Sequence, residues 1–302
     1  MSFGKHPAPL TTLAHFTDTH LLAGGGLLGR SIDTDARLVE SLDRLRETVR
    51  GQEAPLAALI VSGDITDLAE PEAYARALQL LDTAADELGA QLIVTPGNHD
   101  ERPPMAEHLL GLEASEAPLD AVHDLGGLRV ISLDSTLPGY HHGGFDQGQA
   151  EWLREQLRMP APLGTVIVMH HPPVPYRTDV MRLLEFVDDD ELADIVRDTD
   201  VRLILAGHLH VVGGGTCGGV PVSVAGAISY VDDLTVSPES MRGIDDAQAF
   251  SLVEVYAETI THWSVQSRAY EGTSPLPSSL LAKLASMPDD ERREAFSRKS
   301  PA

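Results

Sequence analysis

The chain has 302 residues, 42% of them hydrophobic, a length and composition that suit one α/β core with an appendage. Its 46 Asp and Glu against 22 Lys and Arg leave a formal charge of −24, a field that repels polyanions and argues against extended nucleic acid as a substrate. The single cysteine, Cys217, excludes an intrachain disulfide framework and any thiolate metal cluster, so hard metal ligands must come from Asp, Asn and His.

No apolar run is long enough to span a bilayer, and MSFGKHPAPL lacks the apolar segment of a secretory signal, so the cytoplasm is the expected compartment. Residues 1–12 read as an N-terminal tail without function. Leu13 to Thr17 then reads as a short strand that ends in Asp18-Thr19-His20. A carboxylate and an imidazole two apart fall on one side of an extended segment, where both can reach one ion. Gly24-Gly25-Gly26 is not followed by Gly-Lys-Ser/Thr and reads as a flexible linker, not a phosphate cradle. Leu38, Leu42, Leu45 and Val49 recur at helical spacing between Asp33 and Arg50. Ala57 to Ser62 is a buried-strand candidate that ends at Gly63-Asp64, and a helix from Pro71 carries Tyr74, Leu78, Leu81, Ala85 and Leu88 inward until Gly89 stops it.

Gln91 to Thr95 is the next strand. Pro96-Gly97 terminates it, so Asn98, His99 and Asp100 emerge in a loop at its C-terminal edge, where open α/β sheets place their chemistry. An Asn amide oxygen can ligate a metal without adding charge, and the neighbouring His can donate a proton. Asp100 is expected to orient the imidazole or its neighbours and not to ligate. The β-α-β-α-β order predicts right-handed crossovers and largely parallel strands.

Beyond a weak helical segment at Met105 to Leu110, Leu128 to Leu133 restores a strand. The loop Pro138 to Phe145 holds Tyr140, His141 and His142 among glycines; a solvated pair of imidazoles and a pair of substrate contacts both fit it. Gln147 to Leu157 reads as a helix with Trp152, Leu153 and Leu157 facing inward. Thr165 to Met169 is an apolar strand stopped by His170-His171-Pro172-Pro173, and Val201 to Ala206 is another, stopped by Gly207-His208-Leu209-His210. Cys217 sits in a Gly-rich turn and reads as structural. Val220 to Val224 and Phe250 to Ile260 supply late strands, expected to be antiparallel, with a polar 232–248 loop between them. Ser274 to Ser279 reads as a linker, Leu280 to Leu284 as a short amphipathic helix, and the last residues as a frayed tail.

Metal-type side chains thus stand at the ends of five strand candidates: Asp18 and His20, Asp64, Asn98 and His99, His170, and His208 with His210. With His99 set aside as the proton donor, the remaining seven ligands exceed what one ion takes while keeping an open position for water. Two ions about 3.5–4 Å apart, sharing a bridging carboxylate, fit better, and a bridging hydroxide then serves as the nucleophile of phosphoester hydrolysis without a Ser or Cys.

In their order and spacing these residues resemble the calcineurin-like metallophosphoesterases. The blocks are Asp18-Thr19-His20, Gly63-Asp64, Gly97-Asn98-His99-Asp100, His170-His171-Pro172 and Gly207-His208-Leu209-His210. The LAGHLH and PGYHHGG stretches are most similar to the bacterial class III cyclic nucleotide phosphodiesterases. The resemblance implies a four-layer αββα sandwich, placed over 13–265; the decay of the pattern beyond it leaves 266–302 as a short C-terminal extension, partly disordered or in subunit contacts. It implies a first metal on Asp18, His20 and His210, often iron, a second on Asn98, His170 and His208, and Asp64 bridging them. His99 would assist the leaving oxygen, and His141, with Asn98 and His99, would touch the substrate phosphate. Tyr140 departs from the histidine expected at its position.

The metals would be Fe, Mn, Zn or Co according to supply, with iron plus manganese or zinc favoured. The substrate would be a small phosphodiester, foremost a 3′,5′- or 2′,3′-cyclic nucleotide such as cAMP. A broad-specificity glycerophosphodiesterase or phosphomonoesterase is the enzymatic alternative, and a homodimer is left open. The Ser/Thr phosphatase relatives carry arginines in GDxVDRG and RGNHE, which GDITDLA and PGNHD lack. A non-catalytic binding module of the same fold would be expected to have lost ligands, whereas none is missing here.

Overall fold

The alternation of apolar residues along each strand sets the layers, because successive side chains point to opposite faces of a sheet. The structure is a computed structural model in which residues 6–146, 148–237 and 239–299 are described. In chain order β1 (Thr11–Phe16), α1 (Thr34–Val49), β2 (Leu56–Ser62), α2 (Pro71–Leu88) and β3 (Gln91–Thr95) are followed by α3 (Arg102–His108), β4 (Ala121–Leu125) and β5 (Leu128–Ser132). Next come α4 (Gln149–Gln156), β6 (Thr165–Val168), α5 (Asp189–Val196), β7 (Val201–Ala206), β8 (Gly213–Cys217) and β9 (Val220–Val224). The chain continues through β10 (Val231–Asp232), β11 (Gly243–Ile244), β12 (Ala249–Val255), β13 (Ile260–Gln266), α6 (Ser278–Ala285) and α7 (Asp289–Ser297).

One large sheet has the order β13-β12-β1-β2-β3 and a second β4-β5-β6-β7-β9-β8, while β10 and β11 pair separately. Leu13, Ala58, Ile60, Ile93, Val130, Val166, Val168, Leu203 and Leu205 form the core between the two sheets. Their strand neighbours Ala14, Leu59 and Val61 pack outward on Leu38, Leu42 and Leu45 of α1 and on Tyr74, Ala77 and Leu81 of α2. On the far side Ile131, Ile167 and Ile204 pack on Leu153 of α4 and on Leu192 and Ile195 of α5. The fold is therefore a mixed α/β sandwich in four layers, αββα, as the resemblance implied.

The helices begin and end where local chemistry directs. Asp33 caps α1 by accepting the Ala36 N–H at 3.0 Å, Pro71 opens α2, and Gly89 closes it at φ 66°. β1, β2 and β3 are parallel, as are β5, β6, β7 and β9, so their C-terminal ends deliver loops to one edge.

Several expectations are corrected. Val220–Val224 is antiparallel to β8 but parallel to β7, because it follows β7 by way of the short strand β8 and so returns in β7's direction. The expected strand Phe250 to Ile260 divides into the hairpin β12–β13, turning at Ala257 to Thr259. Gly24 belongs to a single 3-10 turn instead of an unstructured linker. The last residues form α7, supported by an Asp289–Arg292 ion pair, in place of a frayed end. β4 and α5 have no counterpart in the sequence reading. Gln147, expected to begin a helix, lies outside the described residues, as do 1–5 of the N-terminal tail. Among the described residues no helix is long and apolar enough to cross a membrane.

Candidate metal centre

Asp18 and His20 leave β1 in the left-handed region, at φ 54° and 45°, and not on extended chain. Asp64, His208 and His210 share this conformation at φ 48°, 68° and 51°. Such backbone costs about 1–3 kcal/mol at each non-glycine residue and persists only where neighbouring structure enforces it. Here it is enforced by hydrogen bonds from Asp18 N–H to the Gly63 carbonyl at 3.0 Å and from His20 N–H to the Asp64 carbonyl at 2.9 Å. The expected placement of Asp18 with His20 is thus reached by a coiled turn, whereas His208 and His210, two apart in sequence, face different donor groups. Gly97 must be glycine for a related reason, since a Cβ there would overlap the backbone nitrogen and Oδ1 of Asp64.

The imidazoles are held by one nitrogen and aimed with the other. His20 donates Nδ1–H to Asp67 Oδ1 at 3.0 Å, His170 to the Ser62 carbonyl at 2.7 Å and His210 to the Tyr230 carbonyl at 3.0 Å. His208 does the converse, giving Nε2–H to the Leu184 carbonyl at 3.2 Å. Because each acceptor is an oxygen without a proton, the second ring nitrogen is left with its lone pair. Those lone pairs converge. Nε2 of His20 and of His210 are 3.3 Å apart, His210 Nε2 is 3.2 Å from Asp18 Oδ1, and Asp64 Oδ2 is 3.4 Å from Nε2 of both His20 and His170. Asn98 turns its Oδ1 to within 3.2 Å of His170 Nε2 and its amide nitrogen to His141.

Acceptors facing acceptors in a buried space require cations between them. With protons alone to supply the charge, burial opposes protonation of His170, yet Asp64 and then Asp18 raise its pKa to about 9. Asp18 raises that of His210 in the same way. Conversely, burial pushes Asp64 upward, but His170, His20 and His99 hold its carboxyl well below the usual range. Asp18, His20, Asp64 and His210 place their donors within 4.8 Å of one another, and His170 and His208 form a second such group with His171. The donor set therefore fits metal ions, and Asp64 faces both groups.

His171, adjacent to this cluster, is committed elsewhere. Its Nδ1 accepts the Ser135 hydroxyl at 2.9 Å and its Nε2 donates to the His141 carbonyl at 3.2 Å. His99 lies at the rim, one third exposed, and donates Nδ1–H to the Asp67 carbonyl at 3.0 Å. Its ring packs edge-on against His20, with centroids 4.8 Å apart.

A family model described as calcineurin-like phosphoesterase matches residues 11–212. The chain belongs to this family. A probable cyclic nucleotide phosphodiesterase of Rhodococcus erythropolis is 46% identical over 261 residues, covering 85% of this chain and 84% of its relative. A cAMP/cGMP dual specificity phosphodiesterase of Mycobacterium tuberculosis is 43% identical over 258 residues, covering 85% and 80%. The solved structure of GAP50, the anchor in the inner membrane complex of Plasmodium, matches with a TM-score of 0.56 at 13% identity over 86% of each chain, a likeness of fold.

In this calcineurin-like phosphoesterase some site residues escaped the sequence reading. Asp67 orients both His20 and His99; the run Gly63-Asp64-Ile65-Thr66-Asp67, with a second carboxylate one turn on, was its only signal. Asp100, expected to orient the imidazole or its neighbours and not to ligate, holds the neighbours. Its carboxylate accepts the N–H groups of Gly97, Ile65 and Thr66 and the hydroxyls of Thr66 and Tyr74, and so ties the loop after β3 to the loop after β2. Tyr230 packs against His210 with the rings tilted by 33° and their centroids 4.1 Å apart.

Proposed function

We propose that this protein hydrolyses small phosphodiesters in a metal-dependent reaction, with cyclic nucleotides as the first substrate class. The observation that carries this reading is the set of imidazole lone pairs and carboxylates aimed at one buried space, with His99 at its rim. The names of the relatives at 46% and 43% identity direct the choice of substrate. In this reading Asp18, His20 and His210 hold one ion, Asn98, His170 and His208 hold the other, and Asp64 stands between them. When bound, such ions supply positive charge toward phosphoryl oxygens and lower the pKa of water to near neutrality.

The chain's own groups then do the rest. His99 keeps its Nδ1–H on the Asp67 carbonyl, so Nε2 is the nitrogen presented to a leaving oxygen, and it delivers a proton there when the ring carries a proton on both nitrogens. His141 accepts the Asn98 amide on Nδ1 at 3.1 Å, which puts its N–H on Nε2 as a donor for a phosphoryl oxygen. Arg102, the arginine nearest the Asn98-His99 turn in sequence, is turned away and buried, so no guanidinium from this turn clamps a monoester dianion. That supports a diester over a monoester.

A panel of 3′,5′- and 2′,3′-cyclic nucleotides, glycerophosphodiesters, bis(p-nitrophenyl) phosphate and monoesters tests the reading, with and without Mn²⁺ or iron. The expected result is hydrolysis of diesters only when metal is present, and loss of most of kcat with retained metal content in His99→Ala. Equal loss of metal and turnover in that variant would remove His99 from the role given to it.

A further inference from the structure

Arg102 opens α3 three residues after His99, and its side chain is 2% exposed. A guanidinium out of water needs its donors filled, and four of the five N–H groups are. Nε donates to Asp134 Oδ2 at 2.8 Å, Nη1 to the Glu116 carbonyl at 2.9 Å and to Asp146 Oδ2 at 2.7 Å, and Nη2 to the Thr136 carbonyl at 2.8 Å. Asp134 and Thr136 begin the loop between β5 and α4, and Asp146 ends it. One side chain therefore buckles both ends of that loop from the segment that carries Asn98 and His99.

Between the fastened ends the loop is closed by the Thr136–Gly143 bridge, and His141 stands at its tip with an exposed side chain. His141 meets Asn98 through Nδ1 and takes the His171 N–H on its carbonyl. The His141 ring also stands 5.5 Å from that of His99, and Gly143 is tied to Glu185 and Val187, so the position of this exposed imidazole depends on these contacts together with where the ends of the loop are fixed.

We propose that Arg102 is a positioning residue for substrate binding: by pinning Asp134, Thr136 and Asp146 it holds His141 against Asn98 and His99. The proposal rests on the reading of Asn98, His99 and His141 as the phosphate-binding end of the site. It assigns no contact with substrate to Arg102.

Asp146→Asn is the milder test, because Asp146 is 35% exposed while Asp134 is fully buried. Arg102→Lys keeps the charge but loses the fork. Hydrogen exchange of the metal-loaded protein is expected to speed up about tenfold or more at amides 137–145 in both variants, with β6 and β7 unchanged. Against bis(p-nitrophenyl) phosphate, Asp146→Asn is expected to raise KM and lower kcat/KM about tenfold, and to cost less than about twofold when added to His141→Ala. A full tenfold loss in the His141→Ala background, or unaltered exchange in the loop, overturns the proposal. A wild-type protein inert toward every diester refutes the proposed function instead, and the exchange comparison still decides whether Arg102 holds the loop.

Discussion

Asp100→Asn should injure the site without removing a single metal donor. The Asp100 side chain is 5% exposed, and its Oδ2 accepts the Ile65 and Gly97 N–H groups at 3.0 Å each. Oδ1 accepts the Thr66 N–H at 3.1 Å, the Thr66 hydroxyl at 3.3 Å and the Tyr74 hydroxyl at 3.0 Å. An amide nitrogen in place of Oδ2 would face two backbone N–H groups that cannot turn away. In place of Oδ1 it faces one such group and two hydroxyls that can rotate to accept, so the asparagine settles that way round. The Thr66 N–H then loses its acceptor, at about 1–3 kcal/mol, and the remaining bonds lose the charge that strengthened them. Together the loss comes to about 3–5 kcal/mol, a large share of the roughly 5–15 kcal/mol by which a domain is stable. Because the severed bonds joined the Gly97–Asn98 turn to the Ile65–Asp67 segment, the folded fraction should also turn over more slowly; a 1 Å displacement costs about a hundredfold. Urea unfolding and kcat/KM on bis(p-nitrophenyl) phosphate measure the two effects. A destabilisation below about 1 kcal/mol together with kcat/KM within about twofold of wild type would refute the role given to Asp100.

Asp67→Asn replaces the carboxylate that receives the His20 Nδ1–H, and metal affinity is expected to fall about 10–100-fold in a chelator titration, with kcat falling as well. Unchanged affinity would show that Asp67 is not a support for that ligand. Gly97→Ala drives a methyl group into Asp64, and elemental analysis should find metal content well below wild type in protein that is still folded by circular dichroism. Asp120 carries a pH signature. Burial raises its pKa from 3.8 to about 6, so the folded state holds a proton that the unfolded chain has released. Its contribution is fully present below about pH 4 and is lost as pH rises through about 6, at no more than about 3 kcal/mol. Asp120→Asn should therefore gain stability relative to wild type between pH 4 and pH 6, and parallel pH profiles for the two proteins would contradict this.

Amphipathic periodicity is a local property, and α1, α2, β2, β3, β6 and β7 were legible from it to within a few residues. β4 was missed because its strand faces alternate between half-buried and exposed positions at a sheet edge, which leaves little apolar signal. α5 was missed because Asp189, Asp190 and Glu191 fill its first turn and only Leu192, Ile195 and Val196 are buried. Arg102 is not singled out by any sequence pattern; only the fold shows that it is inside and which loop it fastens.

By itself the sequence determined which side chains stand at the ends of the parallel strands, since an apolar run broken by Gly or Pro places the next polar residues at the sheet edge. It also determined the alternation that separates the core between the sheets from the two outer cores. Tertiary structure alone decided how closely those side chains approach one another around Asp64, and which nitrogen of each imidazole points inward. The reason is distance along the chain: His20 and His210 are 190 residues apart, and the carbonyls that fix His170 and His210 belong to Ser62 and Tyr230. No pattern with a period of two or of 3.6 residues encodes a meeting of that kind.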